Sequence, residues 1–395
     1  MALAAVLLQY RWIILFYLAL ALFLVLRRRR LVVQSKIILL YRTTIGIRLM
    51  DRLAGKYREW VKLFGYVGIG IGFVGLVLIS ALLLIGFAQL FTRPEQPASV
   101  SLVLPGVEVP GLGVLPFWHW LIAIFVIAVV HEFGHGIVAR AHGIGINWTG
   151  LVLIGPIIGA FVEPDEKRLA KERDVVQYSV YAAGAVANIF LGIIAVLLML
   201  LVALPLQQSL VEPVGFAFDG YYGSGYPAER AGLRAGEVIT AVNGEGNVGA
   251  QRFSEIIGRM RPNETLEVRT AGNATLLMTA ASHPDDTQRA FIGIVGIRGE
   301  YRAKQERFAA MNRVLLTLIV FLRWLFVLSL GIGLFNVLPL PIVDGGRMAQ
   351  TFLRKAWGEH RGNKAFGTVS FFFLLVLALS LLVPMIRSLL QYLQA

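Results

Sequence analysis

Six apolar segments, at about residues 9–26, 65–91, 118–139, 178–205, 313–337 and 366–386, are long enough to cross a bilayer. Hydrocarbon offers no water to backbone N–H and C=O groups, so each segment is expected to satisfy itself as a helix. Composition agrees: 57% of the 395 residues are hydrophobic and 15% are charged. Mean hydropathy is +0.69, which no ordinary soluble domain reaches. There is no cysteine, so disulfides and thiolate chemistry are excluded. The net charge of +13 could suggest nucleic acid. The cations fall beside apolar spans, however, which favours positive-inside loops and anionic lipid, with no nucleic-acid partner.

The first segment is followed at once by Arg27, Arg28, Arg29 and Arg30. A cleaved leader has the opposite polarity, so this reads as an uncleaved anchor with its N-terminus outside. Alternating the spans puts 27–64 in the cytosol with 11 Lys and Arg, and loops 140–177 and 345–365 there with 5 each. Loop 92–117, on the outside, holds only Arg93. The bias fits that orientation, with the plasma membrane the expected location. Segment 31–64 mixes Ile, Leu and Trp60 with spaced cations and is expected to lie as helices on the inner leaflet. Residues 208–303 differ: they are rich in acids and glycines, with short alternating strands such as 266–269, and read as an inserted soluble domain. The expected divisions are 1–64, 65–207, 208–303 and 304–395.

The third span ends in His131-Glu132-Phe133-Gly134-His135. Histidines four apart share one helix face and can grip one metal ion, and Glu132 can serve as general base on a metal-activated water. A catalytic zinc site takes three protein ligands and keeps one position open. His119, His142, His283 and His360 read as interfacial or solvated residues. The fifth span offers a better third ligand in Asn336-Val-Leu-Pro339-Leu-Pro341-Ile-Val-Asp344-Gly345-Gly346. Pro339 and Pro341 cannot continue a helix, so the backbone is expected to become extended there, with Asp344 supplying an oxygen. Both spans run from outside to inside, which brings His131, His135 and Asp344 to similar depth near the cytosolic face.

These residues resemble the site-2 protease family of intramembrane zinc metalloproteases, over about residues 118–350. The resemblance rests on His-Glu-x-x-His at 131–135, Asn-x-x-Pro-x-Pro-x-x-Asp-Gly at 336–345, and Gly-x-x-x-Asn at Gly184 to Asn188. It implies that His131, His135 and Asp344 bind Zn²⁺ and that Glu132 activates water. Asn336 would position substrate backbone or stabilise the oxyanion; Asn188, Pro339 and Pro341 would contact substrate near the site. Val343 stands where the family usually has leucine. Read from the residues alone, Gly184 among Ala182, Ala183, Ala185 and Ala187 is a small-residue helix interface, and both readings stand.

Residues 155–164 are glycine-punctuated, β-branched and apolar, suiting a membrane-associated β-hairpin near the site. Residues 226–244 resemble a PDZ domain of the bacterial protease type, with Phe253–Met260 as its second helix; such domains bind an extended peptide at a sheet edge. Glu163, Asp165 and Glu166, after the hairpin, read as solvated acids. The expected fold is therefore a multi-span α-helical membrane protein of about six transmembrane helices with an inserted α+β domain. The expected activity is endoproteolysis of another protein's transmembrane segment, with the bilayer and a peptide ligand of the inserted domain as further partners. Two rivals are a proteolytically silent PDZ-bearing scaffold and a metal transporter. Retention of Glu132 with all three ligands disfavours the first. The fourth and sixth spans lack the ionisable residues the second would need.

Overall fold

A computed structural model describes residues 11–28, 31–34, 38–93, 100, 103–109, 111–155 and 157–394. The chain divides into two compact units, one of residues 1–198 and 321–395, the other of residues 199–320. Among the described residues, five helices are long and apolar enough to cross a membrane: Arg58–Thr92, Phe117–Ala141, Asp174–Leu210, Glu306–Asn336 and Glu359–Arg387. The expected first span is represented by helix α1, Arg11–Leu26, which at 16 residues is shorter than these. Residues 9 and 10 lie outside the described residues.

In the first unit α1 is followed by strands β1, Leu31–Gln34, and β2, Ile38–Thr43, and then by the amphipathic helix α2, Ile47–Lys56. The expectation of helices throughout 31–64 is therefore corrected at 31–34 and 38–43. The run is rich in Val, Ile and Leu, and it has a partner. β2 pairs antiparallel with β3, Ile146–Ile154, from Ile38 opposite Ile154 to Thr43 opposite Thr149. β3 pairs in turn with β4, Ile157–Pro164, giving a sheet in the order β1-β2-β3-β4. The hairpin expected at 155–164 thus exists, but residues 155–164 supply only its turn and second arm. Without β2 the backbone of β3 would present an open edge of unpaired peptide groups.

Helices α3, Arg58–Thr92, α4, Phe117–Ala141, and α5, Asp174–Leu198, make the packed centre of this unit. α5 buries Ala182, Ala183, Gly184 and Ala185, and α3 buries Gly65, Gly68, Gly72 and Gly75 at helical spacing. Small residues let helix backbones approach closely where hydrophobicity gives no preference for protein over lipid. The approach of α4 to α5 is tight: a Cβ on Gly134 would stand 2.8 Å from the Ala183 carbonyl oxygen. α6, Ala309–Asn336, enters this unit at Phe321 and is tied to α5 where Ser329 Oγ donates to the Asn188 carbonyl at 2.7 Å. α7, Asp344–Trp357, and α8, Glu359–Gln394, complete it.

Between α6 and α7 the expected extended backbone is replaced by consecutive tight turns. The amides of Val337 and Leu338 bond back to Leu334 and Phe335, and that of Val343 to Leu340. The glycines explain the difference. Any side chain on Gly345 or Gly346 would overlap the carbonyls of Val337 or Leu340, so this pair lets the connection fold back onto itself.

The second unit carries an antiparallel sheet whose main path joins β5, Val211–Ala217, β6, Ile239–Val242, β7, Thr265–Thr270, β8, Thr275–Thr279, and β9, Arg298–Ala303, in the order β8-β7-β6-β5-β9. Helix Ala250–Arg259 lays Phe253 onto Phe216, with ring centroids 4.2 Å apart. Phe218, Leu233, Ile239, Val242, Leu266 and Val268 close the core around them. Asn243 and Gly244, both at positive φ, make the two-residue turn that the Asn-Gly pair implies.

Candidate metal and catalytic site

The two histidines of α4 and the aspartate that opens α7 converge on one point. His131 Nε2 and His135 Nε2 lie 3.1 Å apart. Asp344 Oδ2 is 3.1 Å from the first and 3.2 Å from the second. An ion bound at about 2.0–2.1 Å in tetrahedral geometry spaces its ligand atoms about 3.3–3.4 Å apart, so this near-equilateral triangle has the size of one tetrahedral face. Asp344 Oδ2 is buried with no hydrogen-bond partner. Three acceptor-capable atoms meeting in a half-buried setting fit a cation, and these residues could hold one metal ion.

Both rings are fixed from behind by α5. His135 Nδ1 stands 2.7 Å from the Val180 carbonyl oxygen. An oxygen there can only accept, so the proton sits on Nδ1 and the Nε2 lone pair faces the triangle. His131 Nδ1 lies 3.2 Å from the Asn188 side-chain amide, while Asn188 Oδ1, on the same amide, is buried without a partner. With that amide turned over, Oδ1 would accept from Nδ1–H, again leaving Nε2 free to bind a metal. Val180, Gly184 and Asn188 are spaced i, i+4, i+8 and share one helix face. In the middle, Gly184 leaves room for the imidazoles: a Cβ there would overlap His135 Nε2 and come within 2.8 Å of His131 Cε1. Gly184 is thus a small residue at a helix interface that also leaves the space in which the two imidazoles sit.

Glu132 points to the sheet. Its Oε2 accepts from the Val162 amide of β4 at 2.9 Å. That amide is available because Val162 opposes Thr149 in a pair whose N–H groups face away from β3. The carboxylate is therefore oriented by backbone, next to the ligand pair on its own helix.

A cavity of about 600 Å³ opens onto these groups. His131, Glu132, His135, Asn336 and Asp344 line it, with Phe161–Pro164 of β4 and with Tyr181 and Arg347. Val32, Leu40 and Arg42 of the first two strands line it too. Asn336 thus faces the space where a substrate would lie. Two expected substrate contacts do not. Asn188 is fully buried and reaches substrate only through His131. Pro339 is buried, its carbonyl accepting from Ser370 Oγ at 2.9 Å, so its part is to shape the connection that delivers Asp344. Pro341 is exposed in that connection.

Of the acids after the hairpin, Glu166 is exposed as expected, while Glu163 and Asp165 are tied back into the fold. Glu163 pairs with Arg42 at 3.0 Å and Glu166 with Arg347 at 3.3 Å, and both line the cavity. Asp165 caps the short helix Glu166–Leu169, accepting from the Arg168 amide at 3.0 Å. His142, just past α4, is held below the ordinary histidine pKa by burial and then by Lys62. Its Nε2 lies 3.2 Å from Ser179 Oγ, whose own hydrogen goes to the Val176 carbonyl at 2.8 Å. His142 is therefore a neutral structural donor.

The sequence profile of peptidase family M50 matches residues 119–379. This chain belongs to peptidase family M50, the site-2 protease family. The match covers α4, α5, the second unit, α6 and α7, and so contains every residue of the triangle. The chain is also 24% identical over 326 residues to an uncharacterized protein of Methanocaldococcus jannaschii, an alignment covering 79% of this chain and 76% of that one. M50 membership makes the protein a metallopeptidase, and with five spanning helices it is an integral membrane protein.

Proposed function

We propose that the protein is an intramembrane zinc endopeptidase that hydrolyses a peptide bond within or beside a transmembrane segment of another membrane-anchored protein. The observation that carries this reading is the His131–His135–Asp344 triangle in the C-terminal half of a helix long and apolar enough to cross a membrane, with Glu132 fixed beside it by the Val162 amide. Bound zinc would supply a Lewis acid for the scissile carbonyl and lower the pKa of its water to about 7. His131 and His135 hold their ligand nitrogens in place through Asn188 and Val180, so the site is preorganised. Glu132, oriented through Oε2, takes the proton of the attacking water on its other oxygen and passes it to the leaving amine. Asn336 in the cavity wall donates to the substrate carbonyl or the oxyanion. A helical segment shields its carbonyls in its own hydrogen bonds, so the substrate must unwind to enter the cavity.

We propose that the second unit is a PDZ-like domain, a reading supported by its antiparallel strands, its short helix at Pro227–Arg230 and its second helix at Ala250–Arg259. We assign it the binding of an extended peptide or the restriction of access. The charge bias supports an extracytoplasmic N-terminus and second unit, a cytosol-facing site and a plasma-membrane location. Signalling proteins anchored in the membrane, cut first outside, are the substrate class that the resemblance suggests.

The test is reconstitution of the full chain in liposomes with a model transmembrane substrate. Cleavage is expected from the wild type, lost on chelation, restored by zinc and absent in Glu132→Gln. Cleavage that survives in Glu132→Gln sinks the mechanism. Intact zinc binding without cleavage of any transmembrane substrate in a varied set sinks the activity.

A further inference from the structure

The wall of the metal cavity opposite α7 is built in part by a hairpin that lies outside the residues matched to the family. β1 and β2 belong to residues 31–43, whereas the match begins at residue 119. Strand register shows which side chains share the cavity face. Val32 opposes Leu40, and Leu40 and Arg42 are alternate residues of β2, so all three project from one face. Across the sheet, Arg42 opposes Gly150, which opposes Phe161, while Glu163 opposes Trp148. Gly150 has no side chain, and Arg42 reaches over it to Glu163 at 3.0 Å and to the Trp148 ring at 6.0 Å. Both members of the pair remain open to the cavity, with about a third of each side chain exposed (34% and 37%).

The resulting surface is apolar at Val32, Leu40 and Phe161 and cationic at Arg42. A guanidinium has five donors, and the bond to Glu163 takes one. The remaining charged groups on the cavity are mostly carboxylates: Glu132, Glu163, Glu166 and Asp344. Arg347, the other arginine there, lies against Glu166. An acidic substrate side chain is therefore repelled over most of the cavity and attracted at its two arginines, of which Arg42 stands on the same strand face as Leu40. An extended chain presents alternate residues to one face about 6.6–6.8 Å apart, which is also the separation of Leu40 and Arg42 along β2.

We propose that Leu40 and Arg42 are specificity-determining residues: they select an extended substrate segment carrying an apolar side chain opposite Leu40 and, two residues away, an acidic side chain opposite Arg42. This rests on the proteolytic reading above. It makes the N-terminal hairpin part of the substrate site rather than only the cover of an open strand edge.

The test uses the full-length protein in liposomes with a model transmembrane substrate in which Asp, Asn or Lys is scanned through six positions on either side of the cleaved bond. The wild type is expected to favour Asp over Lys by about tenfold in kcat/KM at one position, with an apolar requirement two residues away, the size expected of one charge-assisted contact. Arg42→Gln is expected to remove that preference, so that its kcat/KM no longer distinguishes Asp from Asn or Lys at that position, with the metal content at the wild-type value. Leu40→Ala is expected to relax the apolar requirement alone. Equal loss on Asp, Asn and Lys substrates in Arg42→Gln would show that the arginine only ties the sheet together, and would overturn the proposal. So would a wild type with no position-dependent charge preference. Failure of the wild type to cleave any substrate in the set instead overturns the proteolytic reading itself.

Discussion

Gly184 lies so close beneath His135 that a single methyl group would occupy the place of the ligand nitrogen. The neighbour cannot yield, because His135 Nδ1 is tied to the Val180 carbonyl one turn earlier on the same helix. Gly184→Ala is therefore expected to displace both imidazoles and abolish stoichiometric metal binding and cleavage. Overpacking a core of this kind costs about 1–3 kcal/mol, which a bundle of this size can survive folded. Gly192→Ala is the control, since a Cβ there meets its nearest atom at 3.4 Å. Metal content after purification, measured beside thermal stability, separates the two: retained metal in Gly184→Ala would refute the steric account.

Asn188 makes the complementary case. Its amide holds the back of the His131 ring, and it is fully buried. Loss of such an outer partner typically lowers metal affinity about 10–100-fold. Asn188→Ala is expected to fall in that range, with activity recovering at high zinc and little change in KM. A raised KM with unaltered zinc affinity would instead make Asn188 a substrate contact.

How much of this was legible beforehand divides along a physical line. The candidate ligands were local: two histidines at i and i+4, and an aspartate behind a proline-broken helix end, are marked by their spacing. The five long spans were legible for the same reason, since apolar length alone marks them. What escaped was set by partners distant in sequence. Residues 38–43 look like interfacial helix by composition and become strand because β3, more than a hundred residues later, offers an edge. Glu163 looks solvated until β2 places Arg42 across Gly150 from it. Asn188 was legible as a polar residue near the site but not as a clamp on His131, because that depends on which face of α5 meets α4. Pro339 looked like a substrate contact because the glycine-driven fold-back that buries it is not visible in the prolines.

The amide that orients Glu132 can be removed without touching a side chain in the metal site. Val162 presents its N–H away from β3, the one place in a strand where proline is tolerated. Val162→Pro is expected to keep the sheet and the metal and to lower kcat about 10–100-fold, as loss of a positioned general base would. The check is a kcat and KM measurement with metal content in parallel. Unchanged kcat would mean that Glu132 needs no backbone anchor, and loss of metal would mean that the strand, rather than the carboxylate, had moved.

Phe253 tests whether the second unit stands on its own core. Its ring is buried and stacked on Phe216 at the centre of that unit. Truncation of such a residue costs about 3–5 kcal/mol, a large share of the stability of a domain of this size. Phe253→Ala is therefore expected to open this unit to limited proteolysis within residues 211–303. The triangle of His131, His135 and Asp344 belongs wholly to the other unit, so zinc stoichiometry is expected to stay at the wild-type value. Loss of zinc in Phe253→Ala would show that the metal site depends on the folding of the second unit, against the division of the chain into two compact bodies.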